Sequence, residues 1–174
     1  RSSYIKQADV VQGLYFFEEL FDINTIKSNF DFYEPLTVHE SSISACTHSI
    51  VASAAGAKQK AYELYLRTAR LDLDDYNNEV SDGLHITSMA GTWLAIVQGF
   101  GGMRVKDDVL HFNPHIPEKW DAFAFNILFR ENQLNIRVEK DRTLIHNIKG
   151  NKIKLYINNQ LVEVLQESQK EVKS

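Results

Sequence analysis

Two short stretches gather residues able to bind and orient a charged ligand. Tyr33-Glu34-Pro35-Leu36-Thr37-Val38-His39-Glu40-Ser41-Ser42 sets carboxylates, an imidazole and two hydroxyls in a Pro-led turn ahead of a helix. Gly83-Leu84-His85-Ile86-Thr87-Ser88-Met89-Ala90-Gly91-Thr92-Trp93 has the same order, with donor-rich small residues leading into an apolar helix. Lys6-Gln7-Ala8-Asp9 opens a third helix. Helix N-termini carry unpaired amides and the positive end of the dipole, so hydroxyls, an imidazole and an ammonium gathered there would hold an anion, with phosphate the natural candidate. Taken singly, Ser41, Ser42, Ser44 and Thr87 read as helix caps, His39 and His85 as hydrogen-bonded structural residues, and Lys6 as a surface charge. Their joint position is what favours a site.

The elements that position them follow from periodicity. Val10, Leu14, Phe17 and Phe21 recur at helical spacing and predict a buried helix over residues 8–21. So little chain precedes this apolar face that the sequence reads as a piece of a larger protein. Asn24 can cap a second helix that Pro35 stops, and Ser44 or Ser42 a third, over residues 44–55, with Cys46, Ile50 and Ala54 on one side and Gly56 as its breaker. A fourth covers 57–73 with Ala61, Leu64, Tyr65 and Leu71 inward and Lys58, Lys60, Glu63, Arg67 and Arg70 outward; Asp72, Asp74 and Asp75 at its end should turn outward or meet nearby arginines. The fifth covers 87–100 with Met89, Trp93, Ile96 and Phe100 on one stripe, ended by glycines. Short connections make successive helices alternate in direction, so the first, third and fifth N-termini share one end. Beyond Met103 the period becomes two, giving short antiparallel strands at 109–112, 122–129, 133–138, 143–146, 153–157 and 161–165, followed by a frayed polar tail. The fold class is α+β, divided as residues 1–102, 103–166 and 167–174.

Other chemistries fit less well. With 44% hydrophobic residues the chain is globular, and a net charge of −4 without a basic stripe argues against a nucleic-acid groove. The single Cys46 excludes an internal disulfide and suits a reducing, cytoplasmic setting; it lies on an apolar face and reads as packing. No apolar run is long enough to span a bilayer, so a membrane is not expected. No spacing supports a metal: His111 and His115 flank a Pro turn without a third ligand. Glu40 and Asp9 could be drawn as a glycosidase carboxylate pair, Trp93 and Trp120 as sugar-stacking rings, though the stripe containing Trp93 favours core.

Lys6-Gln7-Ala8-Asp9-Val10, the run from Asn29 to Ser42, Leu71-Asp72-Leu73-Asp74-Asp75-Tyr76-Asn77 and the run from Gly83 to Trp93 resemble the C-terminal part of glycoside hydrolase family 65, nearest its maltose phosphorylase branch. The resemblance implies the last helices of an (α/α)6 barrel catalytic domain followed by a β-sandwich. It implies inverting phosphorolysis of an α-glucose disaccharide, maltose or otherwise kojibiose, nigerose or trehalose, with inorganic phosphate as co-substrate and no other cofactor. By it Ser41, Ser42 and His85 match phosphate-binding residues, and Lys6 and Gln7 match contacts to the donor glucose. The family's general acid has no match here, since neither Glu40 nor Asp9 corresponds to it, so the chain alone is expected to be inactive. The rest of the catalytic domain is its implied partner, within an enzyme expected to be a homodimer. A different class of reading makes 103–166 a non-catalytic carbohydrate-binding or assembly module, but the alternation of Phe123, Phe125 and Phe129 favours a core face.

Overall fold

A computed structural model describes residues 3–76 and 78–173; Arg1, Ser2, Ser174 and Asn77, the last residue of the acidic motif, lie outside the described residues. The chain forms two compact units, Arg1–Gly99 and Phe100–Ser174. The first is helical and the second is all strand after its leading residues.

The helical unit comprises α1 (Asp9–Phe16), α2 (Ile23–Tyr33), α3 (Ser44–Ala54), α4 (Lys58–Ala69), a single turn α5 (Leu71–Asp74) and α6 (Ile86–Leu94), which continues as a π-helical segment Ala95–Phe100. α3 is its centre: every residue from Ser44 to Ala52 is buried. Small side chains let neighbours approach, and their hydroxyls find carbonyls across the contacts. Ser49 Oγ donates to the Ala61 carbonyl at 2.8 Å, and Ser88 Oγ of α6 donates to the Thr68 carbonyl of α4 at 2.7 Å. α3 stops as expected at Gly56, whose φ of +79° closes a paired C-terminal motif, with Gly56 N–H bonded to Ser53 and Ala57 N–H to Ala52.

Several expectations need correction. The first helix ends at Phe16, with a separate 3-10 turn at Glu18–Leu20; its buried residues are Val11 and Leu14, while Val10, Phe17 and Phe21 are exposed. Asp22, not Asn24, caps α2, its carboxylate accepting from the Asn24 and Thr25 amides because an acceptor is needed one residue ahead of the first turn. Neither Ser42 nor Ser44 caps α3, which begins after Ile43 without a side-chain cap. Trp93 and Met89, read as core, are 46% and 47% exposed; α6 buries Ser88 and Gly91 instead.

The β unit holds two four-stranded sheets. β1 (Arg104–Lys106), β2 (Val109–Phe112), β6 (Ile153–Ile157) and β7 (Gln160–Val164) form one; β3 (Ala122–Phe129), β4 (Asn132–Glu139), β5 (Arg142–Lys149) and β8 (Ser168–Lys173) form the other. Alternation buries Leu110, Phe112, Leu155, Ile157 and Val164 from the first against Phe125, Leu134, Ile136, Val138 and Ile145 from the second, with Phe112 and Phe125 ring centroids 6.3 Å apart. Two-residue turns with both residues at positive φ, Asp107-Asp108, Arg130-Glu131 and Asn158-Asn159, close three hairpins and match strand twist. Two expectations fail. The sheets are not wholly antiparallel, because β2 and β6 pair in parallel. The expected polar tail is strand β8, paired with β5 from Arg142↔Lys173 to Asn147↔Ser168. A charged edge strand with one buried residue, Val172, leaves almost no alternating signal.

The α3–α6 contact is tight where Gly91 faces Cys46: a Cβ on Gly91 would lie 2.9 Å from Cys46 Cβ. Gly91→Ala therefore forces the two helices apart, at about 1–3 kcal/mol, against about 1 kcal/mol gained in helix propensity. The expected outcome is a net loss of stability in thermal or urea unfolding; Cys46→Ala in the same background removes only the 3.2 Å approach to Sγ and keeps the 2.9 Å contact with Cβ, so most of the loss should remain.

Candidate functional site

The residues singled out for anion binding converge on one end of the helical unit through backbone bonds first. Ile5 and Thr37 form a parallel bridge, with Ile5 N–H donating to Leu36 O and Val38 N–H to Ile5 O, both at 3.0 Å. Glu40 N–H then donates to Lys6 O at 3.1 Å, so the segment leading into α1 and the segment leading into α3 run together. The loop turns at His39, whose φ of +57° is in the left-handed region that costs an ordinary residue about 1 kcal/mol or more. Arg67 of α4 holds that turn, donating from Nη2 to the carbonyls of Val38 and His39 at 3.3 Å each. Ser44 N–H donates to Ser41 O at 3.0 Å and closes the loop onto α3.

Side chains complete the junction. Ser42 Oγ and Thr87 Oγ1 share a hydrogen bond of 2.6 Å, which ties the start of α3 to the start of α6 just beyond His85. Lys6 Nζ lies 3.5 Å from Glu40 Oε2, both exposed, a pair worth little to stability. Gln7 Nε2 donates to Asp9 Oδ1 at 3.2 Å. The carboxylates once considered as a catalytic pair thus stand beside Lys6 and Gln7 respectively.

His85 is the most elaborately held member. Its ring Nδ1 and its backbone N–H both bond the carboxylate of Asp72, the latter at 3.0 Å, and its Nε2 lies 3.3 Å from Glu79 Oε2. The Asp72 hydrogen bond, followed by the charge of Asp72 and the contact with Glu79, raises the imidazole's pKa, and the ring and backbone hydrogen bonds from His85 lower that of Asp72. Asp72 was expected to face solvent or an arginine. Arg70 in fact takes Asp74 in a two-toothed pair at 2.6 and 2.8 Å, and Asp75 accepts from the Glu79 and Val80 amides.

Behind the loop sit two histidines opposite in character to His85. His39 Nδ1 is 2.9 Å from Ser44 Oγ, and its ring meets that of His48 edge-on at 4.6 Å between centroids. Burial, then the positive charges of Arg67 and Lys60, pull His39 down to about 4; burial pulls His48, 0% exposed and with neither ring nitrogen hydrogen-bonded, down to about 3. Both rings are therefore neutral and structural. Cys46 is likewise buried, its thiol pushed up to about 12 by burial, which leaves no thiolate nucleophile.

Sequence comparison places this arrangement among known proteins. Residues 1–94 match the glycosyl hydrolase family 65 central catalytic domain, and residues 103–164 match the family's C-terminal domain. The chain belongs to glycosyl hydrolase family 65. Its relatives in the family include maltose phosphorylase of Bacillus subtilis (strain 168), 51% identical over 150 residues and covering 86% of this chain, and α,α-trehalose phosphorylase of Thermoanaerobacter brockii, 42% identical over 156 residues and covering 90%. The chain spans about a fifth of the length of these relatives, 20% in each case. A solved protein from the human microbiome, provisionally assigned as a kojibiose phosphorylase, superposes with a TM-score of 0.93 at 36% identity, covering all of this chain and 24% of that one.

Three residues of this junction escaped sequence reasoning. Thr87 read only as a cap, Arg67 only as an outward charge, and Asp72 as a solvated end of a helix. The signal available for Asp72 was its place ahead of a loop rich in polar residues, 13 positions before His85; a hairpin of that length can return a side chain to its start.

Acid sensitivity follows from the buried pair. The unfolded chain protonates His39 and His48 near 6.5, whereas the folded chain refuses those protons until about 4 and about 3, so stability present above 6.5 is lost as pH falls through that window. The slope approaches about 1.4 kcal/mol per pH unit for each histidine. His85, with its raised pKa, acts in the opposite sense, stabilising below 6.5 and losing that contribution as pH rises. Urea midpoints measured between pH 7.5 and 5.5, above the carboxylate range, should fall with acid in the parent and fall less in His48→Leu; equal slopes would show that His48 is not refusing a proton.

Proposed function

We propose that this chain supplies the phosphate site and part of the donor-glucose site of an inverting disaccharide phosphorylase. Ser41, Ser42 and His85 bind inorganic phosphate, and Lys6 and Gln7 contact the glucosyl unit. The observation that carries the reading is the Ser42–Thr87 hydrogen bond, which joins the serine pair ahead of α3 to the start of α6, where His85 offers a charge-favoured imidazole. An anion at that junction meets hydroxyl donors, helix-end amides and a positive ring at once.

In this reaction one phosphate oxygen attacks the anomeric carbon from the face opposite the leaving oxygen. The glycosidic bond breaks with inversion, a carboxylic acid protonates the departing sugar, and β-glucose 1-phosphate and the second sugar result. Phosphate replaces the activated water of an inverting hydrolase, so it needs no base to become a nucleophile. The work of these residues is to fix one phosphate oxygen in line and spread its charge over donors already in place. Glu40 lies beside Lys6 on the exposed side of the loop, and Asp9 beside Gln7; neither is assigned the acid's role. The general acid belongs to the part of the enzyme outside these 174 residues, within an (α/α)6 barrel to which the present helices contribute.

Maltose is the proposed disaccharide, supported by the higher identity to the Bacillus subtilis maltose phosphorylase than to the trehalose phosphorylase. Kojibiose, nigerose and trehalose are the alternatives, to be separated by assay of an enzyme containing the acceptor site.

Two measurements test the proposal. Calorimetric titration of the chain with inorganic phosphate should detect binding, and Ser41→Ala or Ser42→Ala should each weaken it about three- to tenfold, the value of one lost hydrogen bond. Unchanged affinity in both variants would remove the serine pair from the site. Incubated with maltose and phosphate, the chain alone should release no glucose 1-phosphate; product above a blank would overturn the placement of the acid elsewhere.

A further inference from the structure

We infer that Asp72 is the positioning residue of the phosphate site, holding the His85 ring in one orientation as the doubly protonated imidazolium, with Nδ1–H on the carboxylate and Nε2–H the face presented to the anion. The inference rests on the assignment of His85 to phosphate. Its basis is geometric. One carboxylate accepts from both the backbone N–H and the ring Nδ1 of the same histidine, through Oδ2 and Oδ1 respectively, so the ring is fixed relative to its own backbone. That backbone is itself the start of α6, since the His85 carbonyl accepts from the Ser88 and Met89 amides at 3.0 and 3.2 Å. A ring pinned at both points cannot turn its other nitrogen away without breaking a charge-assisted bond.

Asp72 is well placed for this because it rides on α5, a single turn whose Leu71 is buried and whose Arg70–Asp74 pair spans its length. The adjoining segment is also held: Asp75, left-handed at φ +47°, accepts from the Glu79 and Val80 amides and turns the chain back toward His85. Among the described residues, the charged groups facing the imidazole are Asp72 from α5 and Glu79 from the returning loop. They differ in kind. The Asp72 carboxylate is mostly enclosed and doubly bonded, whereas Glu79 is half exposed and meets Nε2 at a looser 3.3 Å. Glu79 thus occupies the nitrogen an incoming anion would take, and it is the partner that gives way. Asp72 stays and keeps the ring positive, the state in which an Nε2–H donor is worth most to a dianion.

Asp72→Asn is the discriminating change. It keeps an oxygen for the backbone N–H but removes the charge, and the amide can donate to Nδ1 and reverse the tautomer. In the 174-residue chain, side-chain 15N NMR follows the His85 titration, and calorimetry gives affinities for inorganic phosphate and for sulfate, whose charge is constant over the range. The His85 midpoint should lie above 6.5 in the parent and fall toward or below it in Asp72→Asn. Sulfate affinity in that variant should drop about tenfold at a pH between the two His85 midpoints, where only the parent ring is charged, and only about two- to threefold at pH 6, where the ring protonates without help. Asp72→Glu should restore much of the affinity at the higher pH.

A parent midpoint at or below 6.5 overturns the inference without any variant, as does an equal loss at both pH values, which would mark Asp72 as merely structural. His85→Ala separates the two claims. If it leaves phosphate and sulfate affinity intact, the assignment of His85 to phosphate fails, and with it the role given to Asp72. If it abolishes binding while Asp72→Asn changes neither midpoint nor affinity, the phosphate site stands and the inference about Asp72 falls.

Discussion

The left-handed turn at His39 sets everything around it. A β-unbranched residue at φ +57° lies uphill by about 1 kcal/mol or more, and it stays there because its neighbours leave no alternative. Arg67 takes the carbonyls on both sides of the turn, Ile5 and Lys6 take the backbone before and after it, and the imidazole is buried against Ser44 and His48. Reversing the chain at this point puts the imidazole inward and leaves Glu40, Ser41 and Ser42 at the surface of the junction. The hydroxyl that meets Thr87 is therefore placed by bonds that involve no ligand, and under the proposed phosphate assignment its donors are ordered before the anion arrives.

Burial divides the histidines near this junction by role. His39 and His48 lie where charge cannot be solvated, and their neutral rings serve as flat packing surfaces, meeting each other edge to face while His48 also packs at a tilt against Phe30. His48 gives up both of its hydrogen bonds to do so, a cost of about 1–3 kcal/mol per unsatisfied group that only a densely packed helix would sustain. His85 is partly open to water and faces two carboxylates, so its charged form is the favoured one. The same side chain thus becomes filler or cation according to how deeply it is buried and how closely a carboxylate approaches it, for Glu34 stays 4.0 Å from His39 Nε2 whereas Asp72 bonds the His85 ring directly. Residue type alone does not carry that distinction.

This explains what was legible in the sequence. The helices, most strands and the convergence of three polar helix starts could be read, because apolar periodicity and short connections restrict topology. The identity of the partners could not. Asp72 reaches His85 across a loop, Thr87 reaches Ser42 across α3, α4 and α5, and Arg67 bonds carbonyls rather than a carboxylate, so none has a local signature. Cap assignments failed for a related reason: Asp22 and Asn24 are both good cap residues, and a shift of two positions lies within the uncertainty of a pattern. β8 was missed because an edge strand is protected by the charges that hide it from a hydropathy pattern.

The misread stripes are the more instructive error. Phe17, Phe21, Met89 and Trp93 follow helical spacing and were assigned to the core, yet all are exposed, while α3, with its serines, threonine, histidine and alanines, is enclosed on all sides. Amphipathic periodicity reports which face of a helix is apolar; it says nothing about whether the covering surface lies within the same 174 residues. A helix that contacts neighbours all round has no polar face to alternate with and therefore no stripe, only small residues where other helices come close. Gly91 against Cys46 is the local expression of that rule. This chain spans about a fifth of the length of its family 65 relatives, so helices such as α1 and α6 carry an apolar face whose partners need not be among the residues described. In such a protein the least amphipathic helix marks the centre and the most amphipathic ones mark the boundary, the reverse of what a small self-contained bundle would show.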